Sequence, residues 1–385
     1  MSEKLTRRFF LRSAAEAACA AAFACPFLAS ARSLLADDAA SADAQFIKEA
    51  RYYDKLDALR VKCKLCPREC QVADLERGYC GVRENRGGDY YTLVHSRACS
   101  VNIDPIEKKP LFHYLPGTVA FSLSTAGCNI ECRFCQNWST SQFRPEQVQS
   151  IYLPPEKIAE VCKAKGCPTI AYTYTEPVVF YEYVYDAAKY ARERGVGSVI
   201  VSNGYIQAKP IEELCKVLTG VKVDLKAFTE KFYKETCKGE LKPVLETLVR
   251  LKEVGMWFEL VVLVIPTLND GEEEFRQMTQ WVVKNLGPDV PMHFTRFHPM
   301  YKIKNLPPTP IETLDMARNI ARESGVHFAY VGNVPGHEGE NTYCFKCNEP
   351  LIRRTGFYIL ENKLKDGKCS KCGTVIPGVW KNPLA

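Results

Sequence analysis

Cys128-Asn129-Ile130-Glu131-Cys132-Arg133-Phe134-Cys135 puts three thiols on one short loop in a CxxxCxxC pattern. Three thiolates so spaced can each hold one iron of a cubane [4Fe–4S] cluster and leave the fourth iron without a ligand from the motif. Two other readings use the same residues: a zinc site that borrows a distant fourth ligand, or a cluster completed by a cysteine from elsewhere. What lies around the loop bears on the choice.

Immediately before it, Val119–Ser124 reads as a buried strand, and after it short apolar runs alternate with longer helical patterns. The candidate strands are Val119–Ser124, Thr169–Tyr174, Ser198–Ser202, Val221–Leu225, Phe258–Ile265 and Met292–Phe297, with a further one at His327–Val331. Helical stretches such as Pro155–Lys165, Val178–Arg194 and Glu272–Leu286 fall between them. This alternation predicts an α/β fold of parallel strands, a partial or complete (β/α) barrel over residues 117–335. Ligands of such folds collect at the C-terminal strand ends. Those ends carry Cys128 onward, Thr175-Glu176-Pro177, Ser202-Asn203-Gly204, Asp224 to Lys226, and His298, which together suggest a lined pocket.

At this point a resemblance becomes specific. The CxxxCxxC loop, with an aromatic residue (Phe134) just before its last cysteine, resembles the signature of radical S-adenosylmethionine (SAM) enzymes. Further stretches are similar to pyruvate formate-lyase activating enzymes and, more narrowly, to the AmmeMemoRadiSam-system radical SAM enzyme. They are Cys63–Cys70, Ile106–His113, Tyr172–Pro177, Val223–Lys226 and Phe297-His298-Pro299, so the similarity spans roughly residues 60–380. The resemblance implies a [4Fe–4S] cluster whose open iron takes the amine and carboxylate of SAM. An electron then cleaves a carbon–sulfur bond of the sulfonium, giving methionine and a carbon radical that abstracts hydrogen. It also implies roles for single residues. Phe134 packs near adenine, and Glu176 meets the SAM amino group in place of the family's Gly-Gly-Glu-Pro glutamate, with Tyr174-Thr175 where that motif has glycines. Ser202 and Asn203 match a Thr-Asn-Gly segment that approaches SAM, although Val201 replaces the aspartate preceding it. Asp224 and Lys226, two apart and so on one face of a strand, fall by the methionyl end, and His298 matches a pocket histidine.

The sequence has 18 cysteines, and their grouping in a chain of 385 residues favours metal sites over a disulfide framework. Cys344/Cys347 and Cys369/Cys372, two CxxC pairs separated by 21 residues, suit a zinc ribbon in a C-terminal module over 336–385, with an electron-relay cluster as the alternative. Cys63, Cys66, Cys70 and Cys80, in an N-terminal module over 46–116, can hold zinc or an auxiliary [4Fe–4S] cluster; spacing does not decide, and zinc is preferred. Cys162, Cys167, Cys215 and Cys237 lack partners at ligand spacing and read as packing residues, while Cys99 is unassigned.

Thr6-Arg7-Arg8-Phe9-Phe10-Leu11, the apolar stretch Ala17–Ala31 and the small residues Ala29-Ser30-Ala31 are similar to a twin-arginine export signal over 1–31, followed by a linker over 32–45. The expectation is a periplasmic or extracytoplasmic protein, with a cytoplasmic one as the alternative. The apolar stretch is shorter than the roughly 20 residues of a membrane span. A net charge of +6 argues for neither nucleic acid nor an anionic membrane surface. The expected partners are a low-potential electron donor and a protein or small-molecule substrate. The competing functions are an iron–sulfur electron-transfer or redox-sensing protein that does not use SAM, and a zinc-dependent binding module.

Overall fold

The seven expected apolar runs all form strands, and one further strand joins them. In this computed structural model, residues 43–384 are described. The expected export signal at 1–31 and the expected linker as far as residue 42 lie outside them. The core sheet comprises β1 (Ser100–Pro105), β2 (Val119–Ser124), β3 (Thr169–Tyr172), β4 (Gly197–Ser202), β5 (Gly220–Asp224), β6 (Phe258–Val264), β7 (Met292–Arg296) and β8 (Ala329–Gly332). Their order in space follows the chain, β2 to β8 run parallel, and β1 pairs antiparallel with β2 at the edge. The barrel is therefore partial. Helices α1 (Pro155–Ala164), α2 (Tyr181–Arg192), α3 (Ala208–Cys215), α4 (Leu241–Glu253), α5 (Glu272–Leu286) and α6 (Ile311–Glu323) lie one between each pair of successive parallel strands, as crossover connections require. The N-terminal Cys-rich module expected at 46–116 contributes β1 to this sheet. Among the described residues, no helix is long and apolar enough to cross a membrane.

Strand alternation separates two environments. Val221, Val223, Leu260, Val262, Met292 and Phe294 point to one face, within the apolar core shared with the helices. On the other face the register sets Lys222 beside Glu259, and Asp224 beside Val261, which neighbours His293. Lys222, Glu259 and His293 are buried, so each needs a partner, and Glu259 shows how that is met. Its carboxylate receives the backbone N–H of Phe112 (2.9 Å) and of His113 (2.8 Å), with His293 Nε2 2.8 Å away. Burial alone would raise its pKa, but His293, His113 and the Phe112 amide outweigh burial and hold it below the ordinary glutamate value.

The segment Ile106–Leu115 thus closes the N-terminal end of the barrel. Ile106, Leu111, Tyr114 and Leu115 pack with Ala120, Ala171 and Val199 from the strands, and Tyr114 Oη lies 2.6 Å from Thr219 Oγ1. Glycine admits the tyrosine: a Cβ on Gly197 would lie 2.6 Å from Tyr114 Oη, and one on Gly220 3.1 Å from its ring. From below, the C-terminal strands Thr342–Tyr343, Pro350–Thr355 and Tyr358–Asn362 pack on the same segment. Arg354 Nη2 donates to Phe112 O at 3.0 Å, while Val379 N donates to His113 O and Leu115 N to Val379 O.

Gly197→Ala therefore tests the floor. Forcing a methyl against Tyr114 and Thr219 is expected to cost about 1–3 kcal/mol, read as a lower denaturation midpoint. The same substitution made in a Tyr114→Leu background should cost less.

Candidate iron–sulfur and SAM site

The chain leaves β2 through Gly127, whose φ of +97° suits glycine and at which a Cβ would meet Val82 at 2.6 Å and the Cys80 carbonyl at 2.9 Å. The cysteine loop follows and is fixed by backbone bonds. Glu131 N donates to Cys237 O (2.8 Å), Arg133 N to Thr236 O (2.9 Å) and Lys302 N to Arg133 O (2.9 Å). The Arg68 guanidinium donates to the carbonyls of Asn129 and Lys238. Asn129 Nδ2 donates to Tyr205 O at 2.7 Å, and Asn203 Nδ2 to Asn129 Oδ1 at 2.8 Å.

Glu176 sits at the end of β3 and caps the short helix Pro177–Phe180. It is 3 % exposed. One carboxylate oxygen accepts from Ser202 Oγ (2.7 Å) and Val178 N (3.1 Å), and the other from Asn203 N (2.8 Å). Burial pushes its pKa up to about 7 in spite of these donors and of nearby Lys226. Tyr174, in the position of the family motif's first glycine, keeps the left-handed backbone at φ +66°. Its hydroxyl donates to Asp104 Oδ2 at 2.5 Å and accepts from Asn102 Nδ2 at 3.1 Å, which supports a conformation a tyrosine rarely adopts.

At the end of β5, Asp224 lies between Lys222, in direct ion-pair contact, and Lys226, at 3.2 Å. Burial raises the carboxyl's pKa, but the two lysines prevail and hold it at about 2. Lys226 Nζ is 5.6 Å from the centroid of the Phe134 ring, within cation–π range. It stays charged because, although burial opposes the charge, Asp224, Cys132, Cys237 and Tyr233 outweigh it. The expected residues Glu176, Ser202 and Asn203 thus form one network, and Asp224, Lys226 and Phe134 another that meets the loop at Cys132. His298 is exposed, just beyond the end of β7.

Cys237, expected to be a packing residue, comes beside the loop: its carbonyl accepts from Glu131 N, and its thiol shifts that of Cys132. It ends the π-helical turn Tyr233–Cys237, and Lys238 follows in the left-handed region. Spacing could not reveal a partner that lies about a hundred positions away from the loop.

The three loop thiols fit an iron–sulfur cluster by their donor chemistry. Cys128 and Cys135 are pushed up, first by burial and then by neighbouring negative groups that include Cys132. Ionising all three side by side therefore calls for a cationic occupant. In the C-terminal module, Cys344 Sγ and Cys372 Sγ are 3.6 Å apart and Cys347 Sγ and Cys369 Sγ 3.7 Å. All four sulfurs lie within 4.8 Å of one another, as they would around one tetrahedral ion with bonds of about 2.3 Å.

Residues 122–281, which run from β2 into α5, match the family described as the Radical SAM superfamily. The chain belongs to the radical SAM superfamily. Membership carries with it enzyme catalysis, a [4Fe–4S] cluster and SAM. A relative described as the uncharacterized protein MJ0808 of Methanocaldococcus jannaschii is 46 % identical over 332 residues, covering 86 % of this chain and 99 % of its own. A second, MJ0674 of the same organism, is 23 % identical over 264 residues, 64 % of this chain and 68 % of its own. Among solved structures, a domain of pyruvate-formate lyase-activating enzyme from Bacteroides vulgatus aligns at 15 % identity and a TM-score of 0.38 over 42 % of this chain and 98 % of that one. A radical SAM methyltransferase from Sphaerobacter thermophilus aligns at 14 % identity and a TM-score of 0.46, covering 59 % and 71 %. In this radical SAM chain, then, the superfamily's cysteine loop lies beside the Glu176 network.

Because the folded protein raises the pKa of Glu176 above its ordinary value, the stability this group contributes is complete below pH about 4.5 and is lost as pH rises through about 7. Glu176→Gln has no such dependence. The difference in denaturation midpoint between the cluster-free wild type and the variant should narrow from pH 5 to pH 7.5; a constant difference contradicts the assigned environment.

Proposed function

We propose that this chain cleaves SAM reductively at a [4Fe–4S] cluster held by Cys128, Cys132 and Cys135 and abstracts hydrogen from a protein or small-molecule substrate. In this reading it is an oxidoreductase akin to the glycyl-radical enzyme activases and an AmmeMemoRadiSam-system radical SAM enzyme. The observation that carries the reading is the junction of loop and strand ends: Asn203 Nδ2 is 3.9 Å from Cys128 Sγ and its backbone N–H holds Glu176. Cluster and SAM together supply one electron to a sulfonium carbon–sulfur bond and a carbon radical that takes hydrogen. The protein's share is placement. Glu176 offers its carboxylate to the ammonium of the methionyl group, with Ser202 and Asn203 fixing its direction. Lys226, neutralised on one side by Asp224, presents charge toward the Cys132 side of the loop, and Phe134 walls that side. His298, exposed as it is, takes no part in this reading. The electron comes from a low-potential donor.

A second reading has an observation of its own. Cys237 beside Cys132 favours a cluster completed by protein, hence an electron-transfer or redox-sensing protein that does not use SAM. Anaerobic reconstitution followed by dithionite and SAM separates the two. The proposed activity yields 5′-deoxyadenosine and methionine in equal amounts, abolished in Cys128→Ala and kept in Cys237→Ala. A loaded cluster that gives neither product refutes it.

The 3.6 and 3.7 Å sulfur contacts support structural zinc in the C-terminal module. Cys369→Ala is expected to lower the thermal midpoint and leave SAM cleavage per loaded cluster unchanged. Loss of turnover without loss of stability would refute a structural role. Export through the twin-arginine route completes the proposal, and cell fractionation that finds an uncleaved cytoplasmic chain would overturn that part.

A further inference from the structure

The second cysteine quartet differs from the C-terminal one in size. Cys63, Cys66, Cys70 and Cys80 all line a single cavity. A backbone N–H, that of Tyr79, is directed at Cys70 Sγ at 3.5 Å. An N–H donor at a sulfur suits a thiolate rather than a packing thiol. Yet the quartet does not form a group whose sulfurs all approach within 4.8 Å, whereas the C-terminal quartet does. Neither does the Cys128 triad of the superfamily's cluster loop. Four thiolates around one zinc stand about 3.8 Å apart. Bound to the four irons of a cubane, they stand at the corners of a larger body.

An independent observation points to an occupant that carries a hydrogen-bond acceptor. Arg83, 1 % exposed, also lines the cavity. Its Nη2 pairs with Glu182, while its Nη1 is buried without a hydrogen-bond partner among the described residues. Such a donor is costly to leave unmet, and a cluster sulfide at the centre of the quartet would accept from it.

We propose that Cys63, Cys66, Cys70 and Cys80 hold a second [4Fe–4S] cluster, its four irons all ligated by protein and therefore closed to SAM. This replaces the zinc expected from spacing. The two cysteine sites share a wall: the Cys80 carbonyl lies 2.9 Å from the position of a Cβ on Gly127, the residue before Cys128, and Asn129 also lines the quartet's cavity. The second cluster is thus an electron relay. A low-potential one-electron donor is oxidised as the quartet cluster goes from the 2+ to the 1+ state, and that electron then passes to the loop cluster, which makes the same change. The relay rests on the function proposed above; the cluster itself does not.

The test uses the full chain, reconstituted anaerobically with iron and sulfide, and a variant carrying Cys128→Ala, Cys132→Ala and Cys135→Ala. The wild type should bind about eight irons and the variant about four, with a dithionite-reduced paramagnetic signal in the variant that SAM does not alter. A variant that holds zinc and no iron at the quartet overturns the proposal. Should the variant fail to fold, the reduced wild type decides: two cluster signals, only one of them shifted by SAM, support the proposal, and a single cluster signal overturns it. Mutual broadening of the two signals supports the relay, and unbroadened signals refute the relay alone. Two clusters of which neither responds to SAM would leave the second cluster standing and sink the SAM reading.

Discussion

The mouth of the barrel is organised around one buried carboxylate. Glu176 stands at the end of β3 and gathers the Ser202 hydroxyl, the Asn203 amide and the Val178 amide onto its two oxygens. Through Asn203 the same network extends to Asn129 and so to the cysteine loop. Two strand ends, a short helix and the loop are thus fixed relative to one another by a group that cannot turn without leaving several buried donors unmet, an outcome costlier than the bonds are individually worth. A single positioning element of this kind suits chemistry that depends on bringing a small ligand to one face of a loop.

The barrel was legible because its code is redundant. Parallel strands buried on both faces give continuous apolar runs, and the helices between them carry their own period, so β2 to β8 appear in the sequence within a few residues of their observed ends. β1 gave no such signal. Ser100-Val-Asn-Ile-Asp-Pro105 is an edge strand, half exposed, antiparallel and ended by a proline, and nothing in its pattern separates it from a loop. Its side chains matter all the same, because Asn102 and Asp104 hold the Tyr174 hydroxyl and let a tyrosine stand where the family motif has glycine.

Thiol positions show the same limit from another side. CxxC and CxxxCxxC spacings name groups that lie together in sequence, and they singled out three sets here. They could not report that Cys237 comes to rest against Cys132, since that contact depends on the turn Tyr233–Cys237 packing under the loop. Nor could they report size. One quartet draws its sulfurs to 3.6 and 3.7 Å in opposite pairs, the other does not, and a spacing rule treats both as four cysteines. His298, matched by the resemblance to a pocket histidine, lies exposed just beyond β7.

The floor of the barrel has a kinetic meaning. With Tyr114 seated against Gly197 and Gly220 and the C-terminal strands braced beneath it, solutes reach the cysteine loop from the opposite end of the sheet. A stoppered lower end makes the C-terminal strand ends the face from which anything bound beside the loop has to arrive and depart.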